Sequence, residues 1–411
     1  MSAKVLHILS QRPGRTGSGV TLDAMIRQAA AAGWRQAAVI GIPDLETTPS
    51  VGGLLPDDVH PVRFATADSA HADLNYPVPG MSDVMPYTST IWSTMSNDQL
   101  DRYRTVWQSH LAQVISEFAP DVIHSHHIWL LSSLIKSVAP RTPVITTCHS
   151  TGLRQMMLTP ALAEEVRRGC ARNDHFCVLR EDHGTTLRRE LDIDPARITV
   201  VGAGYRPELF HSHTPAPRRA KDLLYIGKYS HAKGLPWLLD AFTQLATEDA
   251  DLRLHIAGDG AGPEAEALRT RMVSLAPRVI LHGQLAQPQL ADLMRRCGVC
   301  VLPSFYEGVP LVLVEAAACG CRLVSTALPG VLERIEPHLA AHLDLVPLPR
   351  LTGSDVPVAA DLPRFVENLK TALMAAVART TEPEPDTEVL MPLTWQAVFT
   401  RVENIWNRLT T

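Results

Sequence analysis

Lysine is the scarce residue in this chain. Only six of the 38 basic residues are lysine, at positions 4, 136, 221, 228, 233 and 370, a bias that fits a GC-rich bacterial genome and makes any lysine near a ligand site informative. The net charge of −5 gives no overall basic footprint, so no nucleic-acid partner is expected. No apolar run approaches the roughly 18 residues that a membrane-spanning helix needs, and no transmembrane segment is expected. The opening "MSAKVLHILSQRPG" has an apolar centre of about five residues, too short for a secretory signal, and reads as a buried first strand; the expected location is the cytoplasm. The seven cysteines are an odd number, which fits a reduced compartment rather than a disulfide framework. Cys297 and Cys300 form a lone C-x-x-C without a second pair at zinc spacing, and packed thiols are the better reading.

What the chain does have is repetition of one design. With 411 residues, 45% of them hydrophobic and 20% charged, it has the proportions of a globular protein of two domains. "KVLHILS", "QAAVIGI", "DVIHSH", "PVITTCHS" and "FCVLR" are short β-rich runs separated by helical or turn segments, the pattern of parallel βαβ units. After "ITVVGAG" the pattern breaks into "YRPELFHSHTPAPRRAKD", a proline-rich linker. It restarts with "DLLYIGK", "DLRLHIAG", "RVILHGQ", "GVCVLPS" and "CRLVST". The expected boundaries are 1–205, 206–390 and 391–411, the last an amphipathic helix with Trp395, Val398, Val402, Ile405 and Leu409 near helical spacing. Two such lobes leave a cleft at the C-terminal ends of both sheets, where open α/β sheets bind ligands.

The stretch "PSFYEGVPLVLVEAAACG", residues 303–320, carries two glutamates with seven residues between them. It reads as the end of a strand, a turn at "FYEG", and a helix with Pro310 at its first position and Gly320 at its C-terminal cap. The amides near Gly308, Val309 and Leu311 would then form an anion site at a helix start. Glu307 projects from the turn and Glu315 lies one helical turn beyond Leu311. Two carboxylates repel a bare phosphate but accept hydrogen bonds from hydroxyls on either side of one, as in a nucleotide-sugar. The plain alternative is a solvated turn glutamate and a helix glutamate paired with an arginine.

Two more loops bear on that choice. "LLYIGKYSHAKGLPW" crowds Lys228 and Lys233 into one strand-to-helix loop, where paired cations could neutralise a diphosphate without a metal; two solvated lysines are the alternative. "SQRPGRTGSGVTLDAM" places Gly17, Ser18 and Gly19 between the first strand and a helix, where their amides can approach a phosphate. The third glycine of a dinucleotide fingerprint is missing. "DVIHSHHIW" puts His124 and His126 on one face of a strand, with no third metal ligand apparent.

Together these motifs resemble retaining glycosyltransferase family 4. The matching residues are Pro303, Ser304, Glu307, Gly308, Glu315, Cys319 and Gly320, then Gly227, Lys228, Lys233 and Gly234, then Gly258, Asp259 and Gly260, His149 in "VITTCHS", and the closing "LTWQAVFTRVENIWNRL". The resemblance implies a GT-B fold of class α/β: two facing Rossmann-like domains, an N-terminal acceptor domain and a C-terminal donor domain, with a C-terminal helix crossing back to the first. It implies that Lys228 and Lys233 hold the donor diphosphate and that Glu315 binds the ribose. Glu307 would bind the transferred sugar, with Gly308, Val309, Pro310 and Leu311 beside the β-phosphate. His149 would contact the donor sugar, and Gly17, Ser18 and Gly19 would line the phosphates. Gly258 and Gly283, the latter in "HGQL", would lie along the nucleotide. The chain departs from the family in having Lys228 where arginine is common, Val309 and Pro310 after the first Glu-Gly unit, and no asparagine in "VGAGY".

The implied activity is a retaining, metal-independent transfer from a nucleotide-diphosphate sugar, used as co-substrate with no cofactor, to a small soluble acceptor. A specialised metabolite or a low-molecular-weight thiol fits the genome type. The alternatives are a nucleotide-sugar 2-epimerase of the same fold or a catalytically silent nucleotide-sugar binder. The segment 75–103, long and without clear periodicity, is the expected acceptor pocket, with Asp83, Tyr87 and His126 as acceptor contacts; a packed surface loop is the alternative. The sequence leaves a homodimer open.

Overall fold

Short β-branched runs become strands here because helices cover both faces of each sheet, so that central strands are wholly buried and edge strands only partly. In the computed structural model, the described residues are all except 1, 15, 67–70, 83, 84, 86, 214–217 and 354. The chain divides into unit 1, Met1–Ala203 with Trp395–Thr411, and unit 2, Gly204–Thr394.

Unit 1 is built on strands β1 (Lys4–Leu9), β2 (Arg35–Pro43), β3 (Val59–Phe64), β4 (Val122–His126), β5 (Val144–Cys148), β6 (His175–Val178) and β7 (Ile198–Val200). They form one sheet in the order β3-β2-β1-β4-β5-β6-β7, every neighbouring pair parallel. The order reverses between β1 and β4, and the loops that leave these two strands diverge there. The helix Trp395–Thr410 belongs to this unit. Trp395, Val398, Val402 and Ile405 are buried, Leu409 is only partly covered, and Phe399 and Trp406 join the buried stripe. Trp406 packs its ring against His7, Trp34 and His124 at 5.8, 5.0 and 5.6 Å, and Trp34 Nε1 donates to Glu403 Oε1 at 2.8 Å.

Unit 2 repeats the scheme with β8 (Arg219–Ile226), β9 (Arg253–Ala257), β10 (Val279–Gly283), β11 (Cys297–Leu302), β12 (Arg322–Thr326) and β13 (Leu343–Val346). The order is β10-β9-β8-β11-β12-β13, again all parallel. Counted from its own first strand, this is the order of the first six strands of unit 1, with the reversal between β8 and β11. Residues 391–394 stay with unit 2, where Tyr205 N donates to Leu393 O at 3.0 Å. All seven cysteines are buried free thiols, Cys297 and Cys300 among them on β11. Among the described residues no helix is long and apolar enough to cross a membrane.

The segment 75–103 is not an aperiodic loop along its whole length. Tyr76, Val78, Met81, Trp92 and Tyr103 are buried in the core of unit 1, and a helix, Asn97–Phe118, starts inside the segment. The signal for that start is local. Ser96 accepts from Gln99 N, and the Gln99 side chain returns to the Ser96 amide, a capping box in "SNDQ".

Candidate functional site

The residues singled out in unit 2 meet at its switch point, where open parallel sheets bind ligands. β8 delivers Gly227 and Lys228. The turn His231–Lys233 follows, and Gly234 opens the helix Leu235–Glu248 in the left-handed region at φ +70°. A side chain on Gly234 would collide with the Pro303 carbonyl, so the β8 loop can lie against the β11 loop only with glycine there. Phe305 N donates to Ala232 O at 2.9 Å and joins the two loops. Lys233 Nζ then lies 2.6 Å from Glu307 Oε1, and Ser304 Oγ donates to the same oxygen at 2.9 Å. Lys228 is held by its backbone, Tyr225 Oη donating to its carbonyl at 2.7 Å. Burial, and then the charge of Lys233, lower its pKa, while Glu307 raises it. The site already carries a cation that an arriving anion would stabilise.

Gly258, at φ +131°, approaches the Gly227 carbonyl so closely that no side chain fits, and its amide donates to Gly283 O at 2.8 Å. The structure thus brings Gly258 and Gly283 together beside the Lys228 loop. Glu315 lies in the helix Leu311–Ala318 with no side-chain partner among the described residues. It is partly covered and packed amid apolar atoms, and this desolvation pushes its pKa up to about 7.

The turn before that helix differs from expectation in one respect. Pro310 caps the helix instead of starting it, and the Leu311 amide donates to Val309 O at 3.0 Å. That amide closes a tight turn and is not open to an anion. The helix ends at Ala318, and Gly320 follows Cys319 at φ +89°.

In unit 1, Gly17, Ser18 and Gly19 are the first turn of the helix Gly17–Ala31 and not a loop ahead of it. Thr16 is the reason: its Oγ1 accepts from Gly19 N at 3.2 Å, a side-chain cap that starts the helix early. The Gly19 amide is therefore occupied. The Ser18 hydroxyl donates to Gln11 Oε1 at 3.0 Å.

His149 precedes the helix Ser150–Leu158 and is buried to 8% exposure. Its Nε2 is 3.1 Å from His126 Nδ1, and the two rings stack at 5.4 Å. His126 stacks in turn on His124 at 5.1 Å. Burial lowers the pKa of His149 to about 4, with His183 adding to the shift. It holds His124, His126 and His127 well below the ordinary histidine value, so this column is neutral near pH 7. His126 is thus an intimate partner of His149, and no described contact joins it to Tyr87. Tyr87 lies half-buried against the core, where burial raises its pKa to about 12 and Arg12 opposes the shift. Asp83 lies outside the described residues.

Sequence reasoning left three neighbours of this column without a role. Gln11 follows β1, His127 follows β4, and Arg180 follows β6. Arg180 is buried, donates twice to Asp182 at 2.9 and 2.7 Å, and lies 3.0 Å from His183 Nε2. Each is a polar residue just past the end of a buried strand, and that position was the available signal.

The comparisons fit this anatomy. Sucrose-phosphate synthase from Thermosynechococcus elongatus superposes with a TM-score of 0.66 over 99% of both chains at 18% identity. The Anabaena protein HepE, solved with UDP and glucose, gives 0.62 over 98% of this chain and 99% of that one at 15% identity. The fold is GT-B.

The model of Glycosyltransferase Family 4 matches residues 16–209, and that of Glycosyl transferases group 1 matches residues 220–347. Both units are thus similar to glycosyltransferase family models. Among relatives, glycogen synthase of Mycobacterium tuberculosis is 28% identical over 231 residues, 53% of this chain and 54% of that one. D-inositol 3-phosphate glycosyltransferase 1 of Catenulispora acidiphila is 30% identical over 267 residues, 56% of this chain and 63% of that one. The first of these matches spans about half of the relative's length.

Proposed function

We propose that the protein is a cytoplasmic, retaining glycosyltransferase that moves a sugar from a nucleotide-diphosphate sugar to a small soluble acceptor without a metal ion. The observation that carries this reading is the group of Lys228, Lys233, Ser304 and Glu307 at the switch point of unit 2. A diphosphate there meets two ammonium groups, which take the place of a divalent cation. Its arrival offsets the burial and the Lys233 repulsion that together lower the Lys228 pKa. Glu307, oriented by Lys233 and Ser304, accepts from hydroxyls of the transferred sugar. Glu315, in its ionised form, accepts from the ribose. In unit 1, His149 contacts the transferred sugar, and the start of the Gly17–Ala31 helix lines the phosphates.

In the transfer, a heteroatom of the acceptor bonds to the anomeric carbon as the bond from that carbon to the diphosphate oxygen breaks. The electron pair leaves with the diphosphate, which takes the acceptor's proton. Attack on the face the diphosphate leaves keeps the configuration. The names of relatives such as D-inositol 3-phosphate glycosyltransferase 1 support a small polyol as acceptor.

The test is incubation with UDP-, GDP-, ADP- and dTDP-sugars in EDTA, with and without candidate acceptors. One donor should release its nucleoside diphosphate, slowly alone and faster with an acceptor, and proton NMR should find the α anomer first from an α-linked donor. A β anomer appearing first would refute retention, and a strict need for Mg²⁺ would refute metal independence. Full-rate consumption without acceptor, yielding a sugar altered at C2, would favour the epimerase reading.

A further inference from the structure

Gln11 ties together two parts of the unit-1 site. It is buried to 1% exposure just beyond β1. Its Oε1 accepts from Ser18 Oγ at 3.0 Å and lies 3.2 Å from His127 Nε2. A carboxamide oxygen only accepts, so His127 carries its proton on Nε2. His127 Nδ1, 3.3 Å from Thr151 Oγ1, then accepts from that hydroxyl. Both ring nitrogens are committed and the ring is neutral.

His127 also stands in the left-handed region, at φ +71°, an arrangement that persists only where the surroundings impose it. Those surroundings are the Gln11 and Thr151 contacts and the His127 amide, which donates to Thr147 O at 2.9 Å. The His127 ring centroid is 4.7 Å from that of His149. A single path of hydrogen bonds, Thr16–Ser18–Gln11–His127–Thr151, therefore joins the start of the Gly17–Ala31 helix to the start of the Ser150–Leu158 helix.

We propose that Gln11 is a positioning residue for sugar transfer: it locks His127 in one neutral tautomer and so fixes His149 relative to the start of the Gly17–Ala31 helix. The proposal rests on the donor reading above. The amide is required because a glutamate at the same place accepts the same two bonds yet draws a second proton onto His127. That would place an imidazolium against His149. An aliphatic residue would release both partners.

Two variants and two readouts test it. Gln11→Leu should lower kcat about 10²-fold, the cost of a small misplacement, with a smaller change in donor KM. At saturating donor, Gln11→Glu should keep near-normal kcat at pH 8.5 and lose it progressively toward pH 6, an acid limb in kcat that the wild type lacks. Long-range ¹⁵N–¹H spectra of histidine-labelled protein should show His127 protonated on Nε2 alone in the wild type and as imidazolium at pH 6 in Gln11→Glu. These spectra need no turnover. A wild-type His127 protonated on Nδ1 would overturn the proposal. So would an active wild type whose pH profile is shared by Gln11→Glu. A wild type without turnover on any donor, with the expected spectra, would sink the donor reading and with it the catalytic purpose of the lock, while leaving the tautomer assignment standing.

Discussion

The two units share a strand order and differ in what they place at its reversal. Unit 2 uses formal charges: Lys228, Lys233 and Glu307 in partly covered positions, with Glu315 on the helix behind. Unit 1 uses mainly neutral groups: the histidines at 7, 124, 126, 127 and 149, the Gln11 amide, and hydroxyls of Ser18, Thr147 and Thr151, nearly all buried, while the buried Arg180 beside them is paired with Asp182. One backbone scheme therefore supports two chemistries, and burial separates them. In unit 2 Lys233 and Glu307 keep their charges by pairing with each other while partly exposed to solvent. In unit 1 the same depth that packs Trp406 against His7 and His124 keeps those rings uncharged.

The sharpest way to break the comparison is through packing. Trp406→Ala removes a fully buried ring packed against His7, Trp34, His124 and Phe399 of unit 1, and it should cost that unit about 3–5 kcal/mol. Calorimetry should find the unit-1 transition lowered while nucleotide still stabilises unit 2. Lys233→Ala acts on the other side. It removes a cation and the anchor of Glu307 together, and kcat should fall about 10²–10³-fold with little change in melting temperature.

Acid separates the units next. The folded-state pKa of His7 is lowered from 6.5 to about 4 by burial, with Gln36 opposing the shift. Below pH 6.5 the unfolded chain therefore binds the proton that the folded chain refuses. Stability is lost as pH falls from 6.5 to 4, by about 3 kcal/mol for this group alone. Urea titrations at pH 7 and pH 4.5 should show the wild type losing about 2–3 kcal/mol more than His7→Gln over that interval.

The smallest expected effect concerns Glu315, whose folded pKa is raised from 4.5 to about 7. The sign is opposite: its contribution is complete below pH 4.5 and is lost as pH rises through 7. Glu315→Gln should therefore be more stable than the wild type at pH 8, by about 1–2 kcal/mol given its partial exposure. If the ionised form holds ribose, wild-type nucleotide affinity should tighten from pH 6 to pH 8 and that of Glu315→Gln should stay flat.

The same contrast explains what could be read from the chain. The unit-2 group was legible because Lys228 and Lys233 share one loop, and Ser304, Glu307 and Glu315 share one strand–turn–helix. Their spacing is their geometry. The unit-1 group draws on loops after β1, β4, β5 and β6, and only the sheet order brings Gln11, His127, His149 and Arg180 into one neighbourhood. His149 was found through resemblance and Gln11 was passed over. Cap details were also hidden, since whether Gly19 or Leu311 has an open amide depends on Thr16 and on the turn at Val309. The closing helix was legible by period, yet its widest anchor, Trp406, fell outside the expected stripe because the buried face is broader than one row.

On the proposed reading, unit 2 binds a nucleoside diphosphate through cations and carboxylates without a metal. Isothermal titration of UDP, GDP, ADP and dTDP in EDTA, on the wild type, Lys228→Ala and Glu315→Ala, tests it most directly. The wild type should bind one nucleotide, with affinity reduced at least tenfold in both variants. Binding that appears only with Mg²⁺, or that survives both substitutions unchanged, would contradict it.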